Sequence, residues 1–175
     1  MHGNDYRRPD KVLVYLYRRC LENASLPDAA HSGPDREAAL LYLLLQRQPE
    51  RTYSGGIWQT VVGSVRWTEE RIQAARREVF EETGLTMLRG ITAIGYAFSF
   101  PLRLPKDQES WYAPGHATID NTVYAAEVIG ERPVRLSSEH VSYGWFSFDE
   151  ALQRLHWPEE KEALLRLHPM VQARL

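Results

Sequence analysis

Cysteine is almost absent: Cys20 is the only one in a chain of 175 residues. One thiol cannot form an intrachain disulfide, and it excludes a zinc site built on several thiolates. A reducing cytoplasm is the simplest compartment for such a chain. Lysine is scarce too, with Lys11, Lys106 and Lys161 the only three, so arginine carries most of the positive charge. An excess of either sign is also missing. Lys+Arg 21 against Asp+Glu 23 leaves a net charge of −2. That argues against binding a nucleic acid polymer, which needs a basic face against the phosphates. Arginine suits bidentate contact with phosphate or carboxylate, but the arginines form no cluster, and genome composition produces the same excess. Long apolar runs are lacking. The longest, Val12–Tyr17 and Ala38–Leu45, fall well below the roughly 20 residues of a membrane-spanning helix. No apolar stretch resembling a signal peptide follows Met1–Lys11.

What is present is the composition of an ordinary globular protein, with 43% hydrophobic and 25% charged residues. The length suits one domain, 1–175. Lys11–Arg18, Ala38–Arg47, Ile57–Val62, Thr86–Phe100, Ala117–Val128 and Val141–Phe148 read as strands. Loops are expected at Glu22–Glu37, Arg51–Gly56 and Pro101–Gly115. Thr68–Thr83 reads as a helix, because Ile72, Ala75 and Val79 form an apolar stripe. Thr68 is its expected N-cap, Glu69 and Glu70 occupy its first turn, and Gly84 lies where a left-handed cap belongs. A capping box at Ser147–Glu150 opens a helix over Asp149–His156, and Pro158 opens another over Glu159–His168, closed by Pro169. This order predicts an α/β fold in which a mixed sheet is covered by helices.

The chemistry concentrates in the central helix. Glu78, Glu81 and Glu82 crowd its last turns. Like charges three and four residues apart destabilise a helix by roughly 0.2–0.5 kcal/mol per pair. Carboxylates near a helix C-terminus also oppose the macrodipole. Divalent cations reverse both penalties, and hard cations such as Mg²⁺ bridge carboxylate oxygens to phosphates. The alternative is a solvated acidic face neutralised by Arg71, Arg76 and Arg77.

The flanking residues weigh against that alternative. Five residues separate Gly63 from Glu69, and seven separate Glu69 from Arg77; then follow Glu78, Val79, Glu81, Glu82, Gly84 and Leu85. This stretch, 63–85, resembles the signature of the Nudix hydrolase family without departure. The resemblance implies the Nudix fold, a mixed β-sheet sandwiched between α-helices. It also implies metal-dependent hydrolysis of a small-molecule di- or triphosphate, with Mg²⁺ as cofactor and Mn²⁺ as a substitute. By position, Glu78 and Glu82 would be the principal metal ligands, and Glu81 a further ligand or the general base. Arg77 would hold a carboxylate, and Glu69 would pair with an arginine to hold the loop. Gly63 would permit the tight backbone entering the loop, and Gly84 the turn leaving the helix. A Nudix-fold sensor without catalysis is disfavoured, because all three carboxylates are kept.

Four further pieces resemble one subfamily, the bacterial dihydroneopterin triphosphate pyrophosphatases, also described as dATP pyrophosphohydrolases. They are Tyr6–Pro9, Trp58–Ser64, Tyr112–Gly115 and Glu139–Val141 with Tyr143 and Trp145. The subfamily implies dihydroneopterin triphosphate as substrate in folate biosynthesis, cleaved to the monophosphate and pyrophosphate. A nucleotide-pool enzyme acting on dATP or oxidised nucleotides is the alternative. Glu139 would be a third ligand from a loop, or else a surface glutamate. Asn121 would line a polar pocket, and Trp58 and Tyr112 would wall it or simply pack. Ile119-Asp120, before Asn121, departs from the subfamily pattern, in which a basic residue precedes the asparagine. A monomer or homodimer, with no membrane partner, is expected.

Overall fold

The two longest apolar runs become adjacent strands because neither has a polar face to show to water. Residues 12–17 and 40–45 are buried almost throughout, the pattern of strands covered on both sides. The computed structural model describes residues 7–20, 39–50, 55–101, 112, 115, 117–130 and 132–173. The expected loop Glu22–Glu37 and most of Arg51–Gly56 and Pro101–Gly115 lie outside the described residues.

A seven-stranded mixed sheet contains β1 (Asp10–Cys20), β2 (Ala39–Arg47), β3 (Trp58–Gln59), β4 (Val61–Ser64), β5 (Leu88–Pro101), β6 (Thr118–Val128) and β7 (His140–Phe146). Its order is β3-β2-β1-β6-β5, with β4 paired to β1 and β7 to β2. β1 runs parallel to β6 and antiparallel to both β4 and β2: its first half pairs with β4 and its second half with β2. Among the described residues three helices cover the faces: α1 (Arg71–Thr83), α2 (Phe148–Arg154) and α3 (Pro158–Gln172). Strand alternation sorts the core. Val12, Val14 and Leu16 pack with Ala74, Ala75 and Val79 of α1. Leu13, Tyr15 and Tyr17 pack on the opposite face with Ala151, Leu155, Leu164 and Leu167. The expected sandwich is therefore present.

Several boundaries differ from the sequence expectation. The third strand breaks at Thr60, whose hydroxyl donates to the Val14 carbonyl at 2.6 Å, and resumes as β4. The N-cap of α1 is Glu70, not Thr68, so no acidic residue lies in the first turn. Glu69 is instead drawn into the preceding loop by Arg66 and Arg77. Pro169 does not close α3, which continues to Gln172. A proline in the last turn forfeits a single backbone donor, and the Ala173 N–H still reaches the Pro169 carbonyl at 3.0 Å. The Ser147–Glu150 capping box is present.

A buried carboxyl clips α3 to the sheet. Glu160 is 4% exposed, accepts from the Thr60 N–H at 3.3 Å, and its carbonyl accepts from the Tyr15 hydroxyl at 2.6 Å. Burial pushes its pKa up to about 8. The folded chain therefore keeps this proton over a range in which the unfolded chain, near 4.5, has lost it. The resulting stability is fully present below the unfolded pKa and is lost as pH rises through about 8. Glu160→Gln is expected to flatten that slope, stabilising the protein on the order of 3 kcal/mol above the folded pKa and by almost nothing in acid. Urea unfolding at both ends of the range measures this; an equal change at both would disprove it.

Candidate active site

The site is built at the C-terminal end of α1, and the helix ends there for a local reason. Gly84 adopts φ +68°, and its N–H reaches the Phe80 carbonyl at 2.9 Å. The last carbonyls of a helix need outside partners. Here the Thr83 carbonyl accepts from the Arg135 N–H at 2.8 Å, and the Glu82 carbonyl from the Ser137 N–H at 3.3 Å. The segment entering β7 is thereby docked on the helix end, and Glu139 comes into electrostatic reach of Glu82. Backbone satisfaction thus brings two residues far apart in sequence towards each other.

Arg77 is the hub of the helix face. Its guanidinium makes a two-point contact with Glu69, Nε to Oε2 at 3.0 Å and Nη2 to Oε1 at 2.5 Å. It also reaches Glu78 at 2.6 Å, Glu81 at 2.9 Å and the Ser64 carbonyl at 2.8 Å. Its hydrogen bonds hold the Glu69 carboxyl below its ordinary pKa. Charge-assisted bonds of this kind contribute roughly 1.5–3 kcal/mol each. Glu69 and Arg77 together fix the loop that carries β4 into α1.

Gly63 has a different reason from the expected one. It sits inside β4, paired with Val12, and its φ is not positive. A Cβ at this position would lie 1.8 Å from Cδ of Glu78. The glycine therefore makes room for the Glu78 carboxylate, which lies directly on the strand backbone. Gly84 serves the turn leaving the helix, as expected.

The three helix carboxylates differ in environment. Glu81 is the open one, its side chain 45% exposed and also bonded to Arg66 at 3.2 Å. Burial raises the pKa of Glu78. Glu82 is 6% exposed, and its pKa is pushed to about 9, chiefly by burial and then by Glu78 and Glu139. Its Oε2 is buried with no hydrogen-bond partner among the described residues. A lone buried carboxylate oxygen is expensive, and a hard cation is the group that relieves it. Among the described residues no three acidic, histidine or cysteine side chains are already gathered around one point. Oxygen donors of this kind fit Mg²⁺ or Mn²⁺, and Glu78, Glu82 and Glu139 could hold it.

Two cations that sequence reasoning passes over lie within electrostatic reach of these carboxylates. Lys11 and Arg47 interact electrostatically with each other, and Lys11 also with Glu78 and Glu139. Arg47 Nε is buried without a hydrogen-bond partner among the described residues. The signal available for both is a charge at the first or last position of an otherwise apolar strand. Asn121 is 2% exposed, and its amide nitrogen donates to the Ile119 carbonyl at 3.2 Å. Asp120 turns to the Ser99 hydroxyl at 2.6 Å. Tyr112 is buried and bridges to Arg7. Trp58 stands apart: it packs edge-on against Phe146, with ring centroids 5.2 Å apart, and lies beneath Arg154. Trp58 on β3 and Asn121 on β6 are separated by β2 and β1 in the sheet order, so the structure does not bring these two candidates together.

Comparison with known proteins agrees with this geometry. The family profile described as NUDIX domain matches residues 33–167. An octanoyltransferase of Myxococcus xanthus is 32% identical over 124 residues; the match covers 71% of this chain but 31% of that protein, so the chain spans about a third of this relative's length. The dihydroneopterin triphosphate diphosphatase of Escherichia coli is 26% identical over 146 residues, covering 83% of this chain and 82% of that protein. Among solved structures, the E. coli dihydroneopterin triphosphate pyrophosphohydrolase superposes with a TM-score of 0.63 at 24% identity, covering 91% of this chain and 94% of the other. The profile spans most of the chain, including the whole carboxylate helix and the Glu139 segment: this chain belongs to the Nudix family.

Proposed function

We propose that this protein is a divalent-cation-dependent pyrophosphohydrolase that cleaves an organic triphosphate to the monophosphate and pyrophosphate. The observation that carries this reading is the buried, unpartnered Oε2 of Glu82, within electrostatic reach of Glu78 and Glu139. A triphosphate repels both hydroxide and carboxylates, so bare acidic residues cannot attract it. A divalent cation bound by Glu78, Glu82 and Glu139 would neutralise phosphate charge and acidify water. Glu81 is exposed enough to accept a proton from water. Arg77 keeps Glu78 and Glu81 in place, and Glu69 keeps Arg77 in place. Asn121 and Tyr112 offer polar atoms beside the organic part of the substrate.

Dihydroneopterin triphosphate is the substrate we assign, which would place the enzyme in folate biosynthesis. The similarity to the E. coli diphosphatase along 82% of that protein supports it. Turnover of the pterin triphosphate, dATP and oxidised deoxynucleoside triphosphates, followed by pyrophosphate release with Mg²⁺, tests both levels. We expect kcat/KM for the pterin to exceed that for each nucleotide by about tenfold or more, a difference of roughly 1.4 kcal/mol in transition-state binding. A preference for a nucleotide would overturn the pterin assignment. No cation-dependent turnover of any of them would overturn the activity itself. No helix among the described residues is long and apolar enough to cross a membrane.

A further inference from the structure

Lys11 occupies an unusual position for a lysine. It is the second residue of β1 and is in register with Ser64, the last residue of β4, on one side, and with Asn121 of β6 on the other. The sheet ends here, where β4 passes into the loop that leads to α1. Strand alternation places Lys11 on the face of Leu13 and Tyr15. It therefore stands at the end of the sheet on the face opposite α1, between β4, the strand that leads into the carboxylate helix, and the Asn121 strand. Its charge is favoured by Glu78 and Glu139 and opposed by Arg47 and Arg7. The ammonium nevertheless makes no hydrogen bond or ion pair among the described residues.

A lysine kept only for stability would be paired with one of these carboxylates. Glu78 instead gives its oxygen to Arg77, and Lys11 is left with open donors. Arg47 repeats the pattern with its buried, unpartnered Nε. Two cations held together at mutual expense, with donors unused, are prepared for an anion brought from outside. The helix supplies only negative charge, so a phosphate chain needs protein cations for whatever charge the metal leaves uncompensated.

We propose that Lys11, with Arg47 in its electrostatic reach, grips the phosphate chain of the substrate at this end of the sheet, between β4, which leads into the carboxylate helix, and the Asn121 strand. This rests on the pyrophosphohydrolase reading above.

The test uses the full chain and its variants Lys11→Met and Lys11→Arg, with two readouts. The first is calorimetric binding of inorganic pyrophosphate in the presence of Mg²⁺, since every candidate substrate carries this group. The second is steady-state kinetics on whichever triphosphate the wild type turns over. Loss of one charged hydrogen-bond partner predicts pyrophosphate binding and KM weakened about 10- to 100-fold in Lys11→Met, with kcat within about threefold. Lys11→Arg is expected to recover most of the loss. Pyrophosphate affinity and KM in Lys11→Met within about threefold of wild type would overturn the proposal, as would a fall in kcat at unchanged KM. If Lys11→Met fails to melt cooperatively, Lys11→Gln with the same readouts takes its place. An inert wild type whose pyrophosphate binding still depends on Lys11 would remove the hydrolytic reading and keep this one.

Discussion

Replacing Glu82 by Gln is expected to leave the fold intact and to remove nearly all turnover. Glu82 has the most protected carboxylate of the helix: it is 6% exposed, and its Oε2 is buried with no hydrogen-bond partner among the described residues. Glutamine has nearly the same shape. It cannot offer a second negatively charged oxygen to a cation. Loss of electrostatic stabilisation at a reacting phosphate predicts a fall in kcat of roughly 10³-fold. The metal-free variant should be no less stable than the wild type, because an amide escapes the burial penalty that the carboxylate bears. Mg²⁺ should raise the melting temperature of the wild type, since a ligand that binds only the folded state stabilises it. In Glu82→Gln the same addition should raise it far less. Turnover within tenfold of wild type, or an equal metal-induced rise in Tm, would remove Glu82 from the ligand set.

Gly63→Ala is expected to be nearly as damaging to activity, for a reason of space. The added methyl would need the volume that the Glu78 side chain occupies, 1.8 Å from its Cδ. Glu78 is the mobile partner, so it will swing away and lose its bond to Arg77. Overpacking of this kind costs about 1–3 kcal/mol of stability. Displacement of a catalytic carboxylate by an ångström or more costs roughly 10²-fold in rate. Gly84→Ala provides the contrast. Its φ of +68° and a contact of 3.2 Å to Arg135 predict strain, worth about 1–2 kcal/mol, with the carboxylates left in place. The two glycines should therefore separate in a joint assay of melting and turnover. Both lose stability, but only Gly63→Ala should lose most of its activity as well. Activity of Gly63→Ala within threefold of wild type would show that Glu78 does not need its place on β4.

The parts of the site that lie close together in the chain are legible from spacing and residue type. Glu78, Glu81 and Glu82 share a helix end by their spacing alone, and the cost of putting them there points to a cation. Gly84 is legible because a left-handed cap has a strong residue preference. The N-cap is ambiguous, because Thr68 and Glu70 both stand where a helix could start. The choice depends on Glu69 being drawn away by Arg66 and Arg77. Gly63 reads as a turn residue, since its real constraint is a side chain on the following helix. The Glu139 contribution rests on resemblance, because the backbone bonds that dock its segment on α1 cannot be read from spacing. Trp58 shows the ambiguity of aromatics. A large ring beside the signature suggests a pocket wall, whereas in the fold it is engaged by Phe146 and Arg154.

The family, the α/β class, the carboxylate helix and the apolar strands are all written in the linear chain, because each is a property of residues within a few helical turns or one strand. Which charges meet is a matter of tertiary packing. Parallel pairing of β1 with β6 puts Lys11 beside Asn121, far away in the chain. Docking of 135–137 on the last carbonyls of α1 brings Glu139 towards Glu82. Burial then gives Glu82, Glu160 and Lys11 protonation behaviour that no local pattern contains. Desolvation depends on what packs above a residue rather than on what flanks it.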